Sequence, residues 1–384
     1  WNEALGRAGY DCFFTGKWHL SADENPVDRG WREGRHVSAR CDAQMGLTWA
    51  DYRKPGFAFS GECPTGCIRQ PGYNPGGVNP LFGSRETDPT IDHDCAVAAE
   101  MAGFLEESAA ADSPWCAFAG LLGPHDPYVV PQRFLDAVDP EAIELPGNWD
   151  DRMEDRPHYY ARLREHFQQS LGETGTREAL RHYLAFCSFV DEQVGLILDA
   201  LDASGQAEET IVVFCSDHGD YAGEHGLFCK GIPAFRSATH VPLAIRVPGV
   251  KGQRPVDALV SLADIGPTLL DLAGVHGAPM AGRSLAPFLH GERPPDWRTA
   301  LCTQMEGTEI RFSQRSFRTS EWLYVYNPGA VDELYDVRAD PDERRNLAHE
   351  ETMRATVDAC CRQMWHQLSH LDDTLINDYY TVAL

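Results

Sequence analysis

Thr210-Ile211-Val212-Val213-Phe214-Cys215, followed at once by Ser216-Asp217-His218-Gly219-Asp220, is the stretch on which the fold turns. A short apolar run rich in β-branched side chains favours extended backbone. Coming directly after a long helical stripe, it reads as a buried strand of a parallel sheet with a polar loop at its carboxyl end. The stripe is Leu180, Tyr183, Cys187, Val190, Val194, Ile197 and Leu201, spaced by threes and fours, which is one face of an amphipathic helix that Gly205 ends. The same order occurs upstream. Val97, Met101, Phe104 and Leu105 make a helical face, Pro114 breaks it, Trp115 to Leu122 is apolar, and Gly123-Pro124-His125-Asp126-Pro127 follows. Downstream, Pro242 to Val247 and Ala258 to Leu262 read as further strands, and Pro267 sits near the start of a helix bearing Leu269, Leu270 and Leu272. Alternation of this kind predicts an α/β sheet with helices on both faces.

After about Pro294 the pattern changes. Arg311 to Arg318, Glu321 to Tyr326 and Glu333 to Val337 read as strands, and Glu350 to Leu368 as a last helix with Met353, Val357, Cys360, Met364 and Leu368 on one face. The predicted division is therefore 1–294 as the α/β unit and 295–384 as a small α+β subdomain. Residues 21–86, rich in Gly, Pro and Trp and poor in periodicity, read as an irregular insertion of the kind that shapes a pocket.

Charge narrows the functional classes. Lys and Arg total 33 against 58 Asp and Glu, a net charge of -25, and such a surface repels phosphate backbones and anionic lipid, so no nucleic-acid or membrane partner is expected. No apolar stretch approaches the roughly 20 residues of a membrane-spanning helix. The twelve cysteines are scattered and read mostly as buried thiols; Cys63 with Cys67, and Cys360 beside Cys361, lack the two-pair spacing of a structural zinc site. The chain opens at Trp1 without a Met or a charged-then-apolar leader, so it reads as processed or truncated. The expectation is a soluble chain, cytoplasmic if anywhere, with its address and oligomeric state unreadable.

Ligands collect beyond the carboxyl ends of strands in open parallel sheets, and both polar loops fall there. Asp217-His218 sets a hard oxygen donor beside an imidazole, a pair suited to a divalent cation, although Asp-His-Gly is also a turn in which Asp accepts backbone N–H groups. His125, held between two prolines, is an aimed imidazole or simply part of a rigid surface turn. In Thr15-Gly16-Lys17-Trp18-His19-Leu20, strand alternation turns Lys17 and His19 to one face and Trp18 to the other. A cation and an imidazole on one face hold an anion; the alternative is an edge strand with an extended Lys and a His capping the core. Lys230 is equally ambiguous alone. Taken together, these lysines and histidines with a metal make a local positive pocket in an acidic body, as recognition of a small sulfate or phosphate ester requires.

Gly9-Tyr10, Thr15-Gly16-Lys17-Trp18-His19-Leu20, Pro124-His125-Asp126-Pro127, Ser216-Asp217-His218-Gly219-Asp220, Glu224-His225-Gly226-Leu227, Lys230-Gly231 and Val241-Pro242, in that order, resemble the sulfatase family of the alkaline phosphatase superfamily, arylsulfatases included. Glu333-Leu334-Tyr335-Asp336, Asp340-Pro341 and Asn346-Leu347-Ala348 are similar to that family's carboxyl-terminal signature. The resemblance implies an alkaline-phosphatase-like sheet sandwiched by helices and a sulfuric ester hydrolase acting on a small sulfate ester. It also implies a divalent metal, calcium or a similar cation, and a formylglycine nucleophile. By position, Asp217 and His218 match the metal ligands, Lys17 and Lys230 the lysines on the sulfate oxygens, His19 the histidine beside the nucleophile, and His125 the one that contacts the ester and assists the leaving group.

The family's Cys/Ser-x-Pro-x-Arg motif, the source of formylglycine, does not occur in the chain. Cys63-Pro64 places its proline one position early, and Cys361-Arg362 has no proline. The sequence therefore reads as an amino-terminally truncated sulfatase, with little or no turnover expected from these 384 residues. The competing readings are a phosphonate monoester or phosphodiester hydrolase of the same superfamily, and a non-catalytic anion-binding pseudoenzyme.

Overall fold

A computed structural model describes residues 1–21, 23–38, 79–85, 93–252, 255–307 and 312–371, the short strands Gly46–Thr48 and Cys67–Ile68, and Asp373 and Leu375. Most of the predicted insertion, Cys63 included, lies outside these residues. The first ten strands are β1 (Asp11–Lys17), β2 (Arg32–Ser38), β3 (Gly46–Thr48), β4 (Cys67–Ile68), β5 (Asn79–Pro80), β6 (Phe82–Arg85), β7 (Trp115–Gly120), β8 (Tyr128–Pro131), β9 (Val212–Cys215) and β10 (Leu243–Arg246). Parallel pairing in the order β3-β2-β1-β7 makes the first sheet, and β6 pairs with β8 beside it, also parallel.

Period-two alternation on β1 sorts its side chains between two helical layers. Phe13 stacks on Phe104 with ring centroids 4.6 Å apart and shares a cluster with Met101, Leu105 and Leu201, from the helices α1 (His93–Ser108) and α2 (His158–Ala203). Phe14, pointing the other way, packs with Trp18, Trp31, Ala4, Leu5 and Leu270, the last from the helix Ile265–Leu272. Helices thus cover both faces, as the alternation predicts. The α2 helix begins well before the stripe that announced it and is broken at Gly172 (φ 57°, ψ -164°), a conformation open to glycine. Among the described residues no helix is long and apolar enough to cross a membrane.

Three expectations need correction. Thr210 to Cys215 is not a buried strand of the parallel sheet: β9 pairs antiparallel with β10, Cys215 opposite Leu243, and Phe214 is 45% exposed. Composition marked it as a strand, but the direction of its partner was not in its own residues. Ala258 to Leu262 forms no strand, because Ser261 accepts the Ala263 N–H and starts a 3-10 turn at Leu262–Asp264. Most cysteines are also only half-buried: of the nine described, all free thiols, Cys12, Cys360 and Cys361 are buried and Cys215 is exposed.

Four antiparallel strands in sequence order, β11 (Ala300–Glu306), β12 (Ser313–Thr319), β13 (Trp322–Tyr326) and β14 (Glu333–Asp336), make the last sheet. One face carries Phe317, Tyr324 and Leu334 against Cys360, Cys361, Met364 and Leu368 of the final helix Arg354–Leu368. The other carries Leu323, Val325 and Tyr335 into the main core with Tyr160 and Phe235.

Candidate active site

At the carboxyl end of β1 the chain turns Lys17 and His19 away from the core that takes Trp18, with His19 exposed and Lys17 covered by its neighbours. Trp18 is 4% exposed, donates from Nε1 to the Glu24 carbonyl at 2.6 Å, and anchors the turn that follows. Close approach of β1 and β7 makes this possible. Gly16 (φ 106°) faces Gly120 in register, and a Cβ on Gly16 would collide with the Gly120 carbonyl oxygen. Lys17, its side chain largely buried, donates from Nζ to Asp217 Oδ2 at 2.6 Å across 200 residues of sequence.

Asp217 and His218 leave the end of β9 in a tight turn. The Ser216 hydroxyl donates to the His218 carbonyl at 2.8 Å, and the His218 N–H donates to Asp217 Oδ1 at 3.1 Å. His218 Nδ1 faces the Gly219 carbonyl at 2.8 Å and so carries the ring proton, leaving Nε2 bare at 3.6 Å from Asp217 Oδ2. A side chain on Gly219 would run into the Ser237 carbonyl, so the turn needs glycine there.

The loop after β7 brings His125 to the same place. Asp94 holds its start, accepting the Leu122 and Gly123 N–H groups at 2.7 and 2.8 Å. His125 Nδ1 donates to the Asp126 carbonyl at 2.6 Å and lies 3.2 Å from Asp126 Oδ1, which leaves Nε2 to accept from Lys230 Nζ. Lys230 also lies 3.4 Å from Asp126 Oδ1. The His125 and His218 rings meet edge to face, centroids 5.7 Å apart. Behind them Asp220 joins the two loops, accepting from the Tyr128 hydroxyl at 2.8 Å and from the Ala222 and Cys229 N–H groups at 2.9 and 3.1 Å.

Burial pushes the His125 imidazole down to about 4, and the ammonium groups of Lys230 and Lys17 push the same way. His218 is lowered by burial and by both lysines. His19 is lowered by burial, by Lys17 and Lys230, and by His218, although Asp217 opposes them. Burial raises the Asp220 carboxyl to about 7, while Asp217 stays below its usual range because Lys17 outweighs the cost of burial. At neutral pH the two lysines face the ionised Asp217 and Asp126, the three imidazoles are neutral, and Asp220 behind them is partly protonated.

Lys17, His125, Asp217, His218 and Lys230 therefore sit in one neighbourhood, with His19 in electrostatic reach of it. Sequence reasoning gave no role to Asp94, Asp126, Tyr128 or Asp220. Only Asp126, next to His125 between the prolines, carried a usable signal. Two hollows of about 470 and 370 Å³ lie away from the cluster, around Trp322 and around Tyr326. Among the described residues no three His, Cys, Asp or Glu side chains are grouped to hold a metal ion.

Comparison with known proteins follows from this geometry. The family model described as Sulfatase matches residues 2–275, and that of the N-sulphoglucosamine sulphohydrolase carboxyl-terminal region matches 223–373. The chain is 30% identical to choline-sulfatase of Rhizobium meliloti over 92% of its own length and 67% of that protein. It is 33% identical to arylsulfatase K of Gallus gallus over 61% of its length, spanning 48% of that relative. The fold matches that of a phosphonate monoester hydrolase from Silicibacter pomeroyi with a TM-score of 0.74 at 22% identity, covering 97% of this chain and 80% of that one.

Proposed function

The chain belongs to the sulfatase family, and from that premise we propose that the strand-end cluster binds the oxyanion of a small sulfate ester and takes part in its hydrolysis. One observation carries the reading: Lys17, His125, Asp217, His218 and Lys230 meet at the ends of β1, β7 and β9 through direct contacts that bridge up to 200 residues of sequence. Breaking an S–O bond drives charge onto the oxygens of the sulfuryl group and of the leaving group, and preset ammonium groups stabilise it there. Lys17 and Lys230 supply them. His125 is neutral and its Nε2 accepts a hydrogen bond from the Lys230 ammonium, so the proton best placed for the departing oxygen is carried by Lys230. His19, in electrostatic reach of both lysines and of Asp217, is the residue that would stand beside a formylglycine nucleophile.

The family also implies a divalent cation, which would polarise the ester oxygen. Asp217 and His218 are the donors proposed to contribute to it. They supply one carboxylate, already engaged by Lys17, and one bare Nε2, whereas a calcium ion takes about 6–8 oxygen ligands. By themselves these two residues do not fit such an ion.

Binding tests the reading without requiring turnover. Titration of the chain with phenyl sulfate, followed through the ring signals of His125 and His218, is expected to saturate, and the Lys17→Ala, Lys230→Ala double variant to lose that response. Signals that do not move, or a double variant that binds like the parent, would remove the assignment.

A further inference from the structure

Lys230 does not stand alone at the site. The Asp126 carboxylate lies 3.4 Å from its ammonium and 3.2 Å from His125 Nδ1, and its side chain is only 15% exposed. Burial opposes ionisation of this carboxyl, but His125, Lys230 and the Cys229 thiol outweigh it, so Asp126 is held below its ordinary value and is charged at neutral pH. A fixed negative charge behind an anion-binding lysine is costly for binding as such. Its place suggests an account in terms of selectivity instead, since Asp126 lies against two of the groups assigned to the ester oxygens, Lys230 and His125.

The charge carried by the ligand supplies that account. A sulfate monoester carries one negative charge, as do phosphonate monoesters and phosphodiesters. A phosphate monoester carries nearly two above its second pKa of about 6. The electrostatic part of binding scales with ligand charge, so a carboxylate beside the site weakens a doubly charged ligand twice as much, in free energy, as a singly charged one of the same shape. With Lys17 matched by Asp217 and Lys230 by Asp126, the cluster is close to charge balance, and the surplus that would reward a dianion is gone. We propose that Asp126 is a specificity-determining residue, whose carboxylate tunes the site to singly charged tetrahedral esters and against phosphate monoesters. This rests on the oxyanion-site reading above.

The test compares phenyl sulfate and phenyl phosphate, bound at pH 7.5 to the full chain and to its Asp126→Asn, Asp126→Ser and Asp126→Glu variants. A unit charge at about 4–6 Å shifts a second ionisation by 1–3 pK units, and the lower end applies to a charge one side chain removed from the ligand. Asp126→Asn is thus expected to tighten phenyl sulfate about tenfold and phenyl phosphate about a hundredfold, moving the ratio about tenfold toward phosphate. Asp126→Ser repeats the removal of charge with a different shape and is expected to move the ratio the same way. Asp126→Glu keeps the charge and leaves the ratio within about twofold of the parent. A carboxylate that merely props Lys230 in place would change both affinities by one common factor, and that result would overturn the proposal. Failure of the parent chain to bind phenyl sulfate at all is seen before any substitution and overturns the site reading itself, and the proposal with it.

Discussion

The two lysine–aspartate pairs at the strand ends are near mirror images. In one, Lys17 is sunk to 10% exposure and its partner Asp217 stands 56% open; in the other, Asp126 is at 15% and Lys230 is open at 30%. The contacts differ in the same sense, 2.6 Å for the first and 3.4 Å for the second. A short bond with the lysine inside leaves the carboxylate as the more exposed partner. A longer one with the carboxylate inside leaves an ammonium facing outward, suited to receive an anion. Two pairs of identical composition thus expose opposite charges, according to which partner the fold buries.

Separate substitutions put that contrast at risk. Loss of a charge-assisted hydrogen bond to a ligand costs about 1.5–3 kcal/mol, or roughly 10- to 100-fold in affinity. Lys230→Ala is expected to weaken phenyl sulfate binding toward the upper limit. Lys17→Ala is expected nearer the lower one, because Lys17 is the more deeply buried and is held to its carboxylate at 2.6 Å against 3.4 Å for Lys230. Isothermal titration of the two variants measures the difference, and an equal or inverted order would mean that the pairs are not specialised.

A smaller effect concerns acid. His125 stays neutral in the folded chain until about pH 4, whereas an unfolded histidine takes its proton near 6.5. Between those values the unfolded chain binds more protons, so this contribution is whole above about pH 6.5 and is lost as the pH falls toward about 4. Urea unfolding at pH 7 and at pH 4 is expected to cost the parent about 2 kcal/mol more than the His125→Asn variant. Parallel losses in the two proteins would show that the Lys230 side of the site is more open than its contacts imply.

How much of this was legible follows from what each signal encodes. Alternation set Lys17 and His19 on one face and Trp18 on the other, because a strand side chain's face depends only on its own position. The stripe from Leu180 to Leu201 marked a helix for the same reason, and the β12–β14 hairpins and the final helix were recognisable too. Pairing is different: nothing within Val212 to Cys215 says that its neighbour runs antiparallel or that Phe214 will stand half open. The supporting carboxylates were hidden for a related reason. Asp94 acts on N–H groups 28 and 29 residues away, and Asp220 on a tyrosine 92 residues away, so their value exists only once the loops have met.

A crystal structure of the chain with sulfate addresses the central claim most directly. The account predicts one sulfate at the ends of β1, β7 and β9, with oxygens within hydrogen-bonding distance of Lys230 Nζ and His125 Nε2 and with Lys17 alongside. Sulfate bound only elsewhere on the surface, with those side chains in place and still paired among themselves, would contradict it.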